Sequence, residues 1–199
     1  MVEQRWGEQT RQDDAQSGRE AILAAARACY DKKGIAGTTL ADIARQARIS
    51  RRTVYRYFDS KNAIIQAIVD EQALAFLHEM QQALDKEMND FPTLLKHYMI
   101  YLITKGPLAP GHQLLLGEKN AQETRRYYFS SPVITGIWQE LMQAPFEKAL
   151  ADKTIRPSLV FGDLTAWVAR IVYSFIQSPV DETTLSRLLD EFIVAAVKR

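Results

Sequence analysis

The apolar positions of this 199-residue chain recur with a helical period along most of its length. From Gly18 onward, Ile22, Ala26, Cys29 and Tyr30 share one helical face, and Gly34 is placed to end that helix. No stretch alternates apolar and polar residues as a half-buried strand does. The pattern predicts an all-α protein of about nine or ten helices.

Two short helices are predicted directly after this first helix. Thr39 has the character of an N-cap, and Asp42 stands three residues later, as in a capping box. Ser50 is a second N-cap, and it precedes a helix over Arg51–Tyr57. Because only the short turn Arg48–Ile49 separates the two helices, their spacing is that of a helix-turn-helix.

A long fourth helix is predicted from Lys61, and prolines and caps divide the rest of the chain. Ser131 and Pro132 read as a cap followed by the first helical position. Pro145 is expected to kink or break its helix. Arg156–Ser158 is expected to begin another helix, and Asp181 to cap the last one.

Charge is balanced overall but uneven along the chain. Lys and Arg number 25 against 24 Asp and Glu, whereas residues 1–61 carry 12 basic and 8 acidic side chains. The segment from Arg45 to Lys61 contains six basic residues and a single acidic residue, Asp59. A short basic segment on a neutral chain predicts a local anionic partner.

The sequence gives no reason to expect a disulfide-linked, metal-binding, secreted or membrane-spanning protein. Cys29 is the single cysteine, so neither an internal disulfide nor a cysteine metal cluster is expected. The three histidines have no metal-ligand spacing, and we expect no metal and no cofactor. The N-terminal residues form no signal-peptide core, and apolar tracts are too short to cross a membrane. We therefore expect a cytoplasmic protein with no membrane partner.

The two short helices have an apolar inner face and a polar outer face, as a DNA-reading helix pair requires. A recognition helix must enter a major groove about 12 Å wide, with one face held by the preceding helix and the other offering hydrogen-bond donors. The inner face is predicted to comprise Ile43, Ala47, Ile49, Val54 and Phe58. The outer face is predicted to comprise Arg51, Arg52, Thr53, Tyr55 and Arg56.

The stretch GIAGTTLADIARQARISRRTVYRYFDSK, residues 34–61, closely resembles the DNA-binding domain of the tetracycline-repressor (TetR) family. The resemblance extends over residues 20–70. It implies a three-helix N-terminal helix-turn-helix domain followed by a larger helical domain for ligand binding and dimerisation. It also implies that the chain is a dimeric repressor.

The resemblance gives individual roles to matching positions. It implies that Arg51, Arg52 and Thr53 face the groove, and that Tyr55 and Lys61 contact phosphates. It further implies that the Thr39 position caps its helix and touches the DNA backbone. With the basic face, the candidate DNA-binding residues are Thr39, Arg48, Arg51, Arg52, Thr53, Tyr55, Arg56, Tyr57 and Lys61.

The chain departs from the family at two positions. The family often has glycine where Arg48 and Arg52 stand. Because a left-handed conformation is less comfortable for arginine than for glycine, we expect a different turn type at Arg48. Arg52 adds length and charge to the reading face.

The C-terminal half supplies candidates for two further sites. The last two helices carry more apolar surface than one face needs, which favours a four-helix bundle with a second copy; the alternative is that both are internal core. The candidate interface residues are Val160, Leu164, Val168, Ile171, Leu185, Leu189, Phe192 and Ile193. Candidate effector-binding residues, each also explicable as plain core, are Tyr98, Tyr101, Leu114, Trp138, Met142, Phe146 and Trp167.

These features predict a one-component transcriptional regulator, expected to be a repressor. Residues 1–17 are interpreted as a flexible arm, 18–62 as the DNA-binding domain and 63–199 as the ligand-binding and dimerisation domain. A homodimer would bind a palindromic operator in double-stranded DNA and be released by a small, largely apolar ligand. Two alternatives stay open: an all-α enzyme, for which no catalytic motif is found, and a helical partner-binding protein without sequence-specific DNA binding.

Overall fold

The computed structural model describes residues 8–83, 90–109, 127 and 131–199, and this part of the chain is mostly helical. The main helices are α1 (Glu8–Lys33), α2 (Leu40–Gln46), α3 (Arg51–Tyr57), α4 (Lys61–Ala83), α5 (Phe91–Lys105), α6 (Pro132–Ala151), α7 (Phe161–Gln177) and α8 (Glu182–Leu189). A 3-10 turn, Gly106–Leu108, follows α5. After α8 the chain continues as a π-helical turn, Asp190–Val194, and a short α9, Ala195–Val197. Within the described ranges β-type pairing is confined to an isolated bridge between Ile155 and Lys198, and the all-α prediction is confirmed.

Helix α1 begins earlier than the sequence pattern predicts. Residues 8–17 are helical, where the sequence pattern showed no helical period, and residues 1–7 of the predicted arm lie outside the described residues. The helix ends as expected at Gly34, whose φ of 73° is left-handed and whose N–H donates to the Tyr30 carbonyl at 2.8 Å. The buried Thr38 hydroxyl then donates to the Gly34 carbonyl at 2.8 Å.

The predicted caps hold in the C-terminal half, but two proline expectations do not. Ser131 accepts from the Ile134 N–H, and Asp181 caps α8. Pro145 leaves α6 uninterrupted. Arg156 begins no helix, because its N–H donates to the Val197 carbonyl at 3.1 Å and so joins the chain terminus.

The chain divides into two compact units, and along α4 the first unit ends at Val69 and the second begins at Asp70. The first unit holds α1–α3 and the first part of α4. Its core includes the fully buried Ile22, Ile43, Val54, Ile64 and Ile68. Tyr127 belongs to this unit: its hydroxyl donates to Asn62 Oδ1 at 2.8 Å, and its carbonyl accepts from Gln66 Nε2 at 3.4 Å.

The second unit has its own continuous apolar core, to which α5–α8 all contribute. Its buried members include Leu77, Met80, Leu95, Met99, Met142, Leu164, Val168, Leu185, Leu189 and Ile193. Each unit therefore has its own set of buried apolar residues.

Candidate nucleic-acid interface

A capping box fixes the start of α2. The Thr39 hydroxyl accepts from the Asp42 N–H at 3.2 Å, and the Thr39 N–H donates to Asp42 Oδ2 at 3.0 Å. The Thr39 hydroxyl also donates to Asp42 Oδ2 at 2.7 Å, and Lys33 Nζ lies 3.1 Å from Oδ1. These donors, the Thr39 hydroxyl first, hold the pKa of the Asp42 carboxyl well below its usual value.

The turn between α2 and α3 is left-handed at Arg48, whose φ is 57°. The Ile49 N–H donates to the Ala44 carbonyl at 3.0 Å across the turn. The expectation of a different turn type at Arg48 is therefore wrong. The arginine adopts the conformation that glycine favours, at a cost of about 1–2 kcal/mol, and its side chain is exposed.

Helix α3 turns a charged face to solvent and an apolar face to the core. The Ser50 hydroxyl caps it by accepting from the Thr53 N–H at 3.0 Å. Val54 is fully buried on its inner side. The exposed side chains are Arg51, Arg52, Tyr55 (54% exposed) and Arg56. Three guanidinium groups and a phenol on one short helix form a surface suited to phosphates and base edges.

Two of the predicted DNA contacts are engaged within the protein. The Lys61 ammonium donates to the carbonyls of Ile35 at 2.8 Å and Thr38 at 3.1 Å, so two of its three N–H groups are used. The Thr39 hydroxyl gives its proton to Asp42. Since phosphate oxygens only accept hydrogen bonds, both residues act first as supports for the α1–α2 connection.

Tyr57 and Arg56 interact with each other. The Arg56 Nη2 donates to the Tyr57 hydroxyl at 3.0 Å, and the Arg56 guanidinium carbon lies 5.0 Å from the centre of the Tyr57 ring. Tyr57 is therefore a partly buried partner of Arg56, whereas Tyr55 is open to solvent.

Sequence reasoning missed the support that α1 gives to α3. The Arg19 guanidinium carbon lies 5.2 Å from the centre of the Phe58 ring. The next residue back, Gly18, lies directly against the Tyr57 phenol. A signal for it in the sequence was a glycine beside the helical pattern, where alanine would favour the helix by about 1 kcal/mol.

Five of the candidate effector residues lie in or against the core of the second unit. Tyr98, Met142 and Phe146 are buried in the second unit, where the Tyr98 and Trp138 rings are 6.0 Å apart. Tyr101 packs against Phe76 at 5.5 Å.

Two candidates differ from these. Trp167 is 44% exposed on α7, unlike the buried candidates, and its role in effector binding stays a prediction. Leu114 lies outside the described residues.

The candidate interface residues also need correction. Leu164, Val168, Leu185, Leu189 and Ile193 are buried in the core of the second unit, so they are not available to a second copy. Their burial favours the alternative of internal core for these five. Val160 and Phe192 are 59% and 60% exposed, and Ile171 is partly buried.

Other site types find no support in the described part of the chain. None of its helices combines the length and the apolar character that crossing a bilayer requires. Nor do the described His, Cys, Asp and Glu residues form a group of three that could hold a metal ion.

A family model described as "Bacterial regulatory proteins, tetR family" matches residues 22–68. This range begins at Ile22 within α1, includes α2 and α3, and ends in the first third of α4. The HTH-type transcriptional regulator TtgR of Pseudomonas putida is 40% identical over 67 residues. That match covers 34% of this chain and only 30% of TtgR.

A second relative is similar over much more of the chain. The HTH-type transcriptional regulator YvdT of Bacillus subtilis (strain 168) is 26% identical over 184 residues, covering 86% of this chain and 85% of its own.

The fold has counterparts among solved structures. A tetR family transcription regulator from Shewanella sp. PV-4 superposes with a TM-score of 0.63 at 15% identity, covering 92% of this chain and 98% of its own. The matched proteins are regulators and not enzymes, in agreement with the expectation from sequence. Residues 22–68 thus match the tetR family of bacterial regulatory proteins, and the fold of the described chain has counterparts among solved regulators of that family.

Proposed function

We propose that this protein is a transcriptional repressor that binds a palindromic operator as a homodimer and is released by a small, largely apolar ligand. The observation that carries the proposal is the exposed face of α3, with Arg51, Arg52, Tyr55 and Arg56 on a helix fixed by its cap and its buried Val54. We assign DNA binding to residues 18–62 and place the protein in the cytoplasm, where such an operator would lie.

The test of DNA binding is selection from a random-sequence duplex pool by the full-length protein. The expected result is enrichment of an inverted repeat whose half-sites are about one helical turn, ~34–36 Å, apart. Recovery of DNA without an enriched sequence would favour a helical protein that lacks sequence-specific binding, and would contradict the proposal.

Dimerisation is proposed through exposed apolar side chains at the end of the chain. Val160 directly precedes α7, Trp167 lies in its middle, and Phe192 lies in the π-helical turn. These side chains stay exposed in the single chain, and we propose that a second copy covers them. A second copy satisfies them by a two-fold arrangement, which also supplies the second recognition helix that a palindrome requires.

The ligand is proposed to bind among the aromatic and methionine side chains of the second unit, including Tyr98, Trp138 and Met142. It would act by preferring the conformation that does not bind DNA, with a coupling of about 1–3 kcal/mol. The test is a thermal-shift series with alkyl carboxylic acids and aromatic alcohols. At least one is expected to raise the Tm and to weaken operator binding, and a Trp138→Ala variant is expected to lose both effects.

A further inference from the structure

Gly18 lies in the interior of α1, where glycine is unfavourable compared with alanine. The structure shows what a side chain there would meet. A Cβ at position 18 would lie 2.3 Å from the Tyr57 hydroxyl oxygen, 2.7 Å from Cζ and 3.3 Å from Cε1. The phenol of Tyr57 therefore packs directly onto the backbone of α1, an approach that only glycine permits.

Tyr57 in turn holds Arg56. Its hydroxyl accepts from Arg56 Nη2 at 3.0 Å, and its ring faces the guanidinium at 5.0 Å. Arg56 is exposed in the last turn of α3, where a free arginine would sample many rotamers. A side chain already held in one geometry loses less conformational entropy when it binds.

We infer that Gly18 is a positioning residue for DNA binding: it admits the Tyr57 phenol, which orients Arg56 at the end of the recognition helix. This inference rests on the proposed function. It adds a role for α1, namely that a contact outside the helix-turn-helix sets the geometry of a DNA-facing cation. The neighbouring contact of Arg19 with the Phe58 ring at 5.2 Å joins α1 to the residue that caps the end of α3.

The test is Gly18→Ala in the full-length protein, with Gly136→Ala as the matched control. Gly136 is also inside a helix, and no atom lies within 4 Å of the Cβ it would gain. With a duplex selected by the wild-type protein, Gly18→Ala is expected to weaken binding about three- to tenfold. Gly136→Ala is expected to leave affinity unchanged. Equal affinity of both variants for this duplex would overturn the inference.

A second measurement separates positioning from general damage. In an Arg56→Ala background, Gly18→Ala is expected to cause no further loss of affinity, because the group that it positions is gone. A loss that persists undiminished in that background would refute the role through Arg56. If Gly18→Ala fails to fold, Tyr57→Phe replaces it: this variant keeps the ring but removes the acceptor, and its loss must likewise vanish with Arg56→Ala.

The contact can also be tested without DNA. In a Tyr57→Ala background, Gly18→Ala is expected to raise the Tm as Gly136→Ala does, whereas in the wild-type protein it is not. Identical effects in both backgrounds would show that the contact does not exist. If the wild-type protein selects no duplex sequence, the proposed function fails, and this stability cycle still decides on the contact.

Discussion

Two non-glycine residues of the described chain have a positive φ, and they allow the cost of the helix-turn-helix turn to be measured. Arg48 lies between α2 and α3 with φ 57°, and Lys153 follows α6 with φ 59°. Both side chains are exposed, so neither conformation is offset by burial. The charge of Arg48 thus stands beside the recognition helix on a residue that glycine could replace with less strain.

Replacement of Arg48 by glycine is expected to stabilise the protein and to weaken DNA binding. Glycine removes the cost of the left-handed conformation but also gives the unfolded chain more freedom. The first effect is the larger, so the free energy of unfolding is expected to rise by up to about 1 kcal/mol. Urea denaturation of Arg48→Gly and of the matched variant Lys153→Gly measures this gain. We expect both to be stabilised, but only Arg48→Gly to bind the selected duplex less tightly; a destabilised Arg48→Gly would contradict the account of the turn.

The Asp42 carboxylate makes the stability of the first unit depend on acid pH. Its pKa is lowered in the folded state, chiefly by the hydrogen bonds from Thr39. A lowered pKa stabilises the fold fully above the usual value of 3.8, and this stabilisation is lost as the pH falls through the folded-state pKa.

The corresponding prediction concerns Asp42→Asn. The difference in unfolding free energy between wild type and variant is expected to be constant above about pH 5 and to shrink as the pH falls further. Asp181, whose pKa Thr184 also lowers, is present in both proteins and so cancels. Denaturation curves at several pH values measure the difference; one that does not change with pH would show that the ionised carboxylate is not responsible.

At the scale of elements, α2 and α3 have seven residues each, too few for a helix to be stable alone. Their caps, the left-handed turn and the buried Ile43 and Val54 hold them in place. The Lys61 ammonium adds a tie of a different kind, since it joins the start of α4 to two carbonyls of the α1–α2 connection.

Lys61→Met is therefore expected to destabilise the protein by about 1–3 kcal/mol, because two carbonyls lose their donor. Its effect on the salt dependence of DNA binding is expected to be smaller than the change in slope of about 1 that loss of one phosphate contact gives. Lys148→Met, which removes an exposed ion pair with Asp152, is the control and should cost less than about 1 kcal/mol. If Lys61→Met is as stable as the wild type and the slope of log affinity against log salt concentration falls by about 1, Lys61 contacts a phosphate as the resemblance implies.

Local signals predicted the elements of the helix-turn-helix well. Thr39 and Ser50 cap the helices that their positions indicate, and α3 has the predicted bounds. Expectations failed where tertiary contacts decide: Arg156 pairs with the chain terminus, and Leu189 and Ile193 are buried in their own unit. Periodicity identifies an apolar face but not which neighbour covers it.

At the scale of the whole molecule, the proposed dimer depends on the apolar side chains that remain exposed after each chain folds. Val160, Trp167 and Phe192 have this property. The buried leucines and Ile193 that share these helices stabilise the chain's own fold instead.

We accordingly expect Phe192→Glu to shift the protein from dimer to monomer at micromolar concentration, because a carboxylate would be buried at the interface. Sedimentation equilibrium measures the mass. The control is Leu108→Glu, at a leucine that is 72% exposed outside the last two helices. A dimer unaffected by Phe192→Glu, or one dissociated equally by Leu108→Glu, would place the interface elsewhere.

The most direct test of the central claim, that the exposed face of α3 reads DNA, is the affinity of Arg52→Ala for the selected duplex and for a scrambled one. The account predicts a loss of about 1–3 kcal/mol on the selected duplex and a smaller loss on the scrambled one, since a bidentate contact to a base is removed. Lys148→Ala is expected to match the wild type on both. Wild-type affinity of Arg52→Ala for the selected duplex would contradict the account.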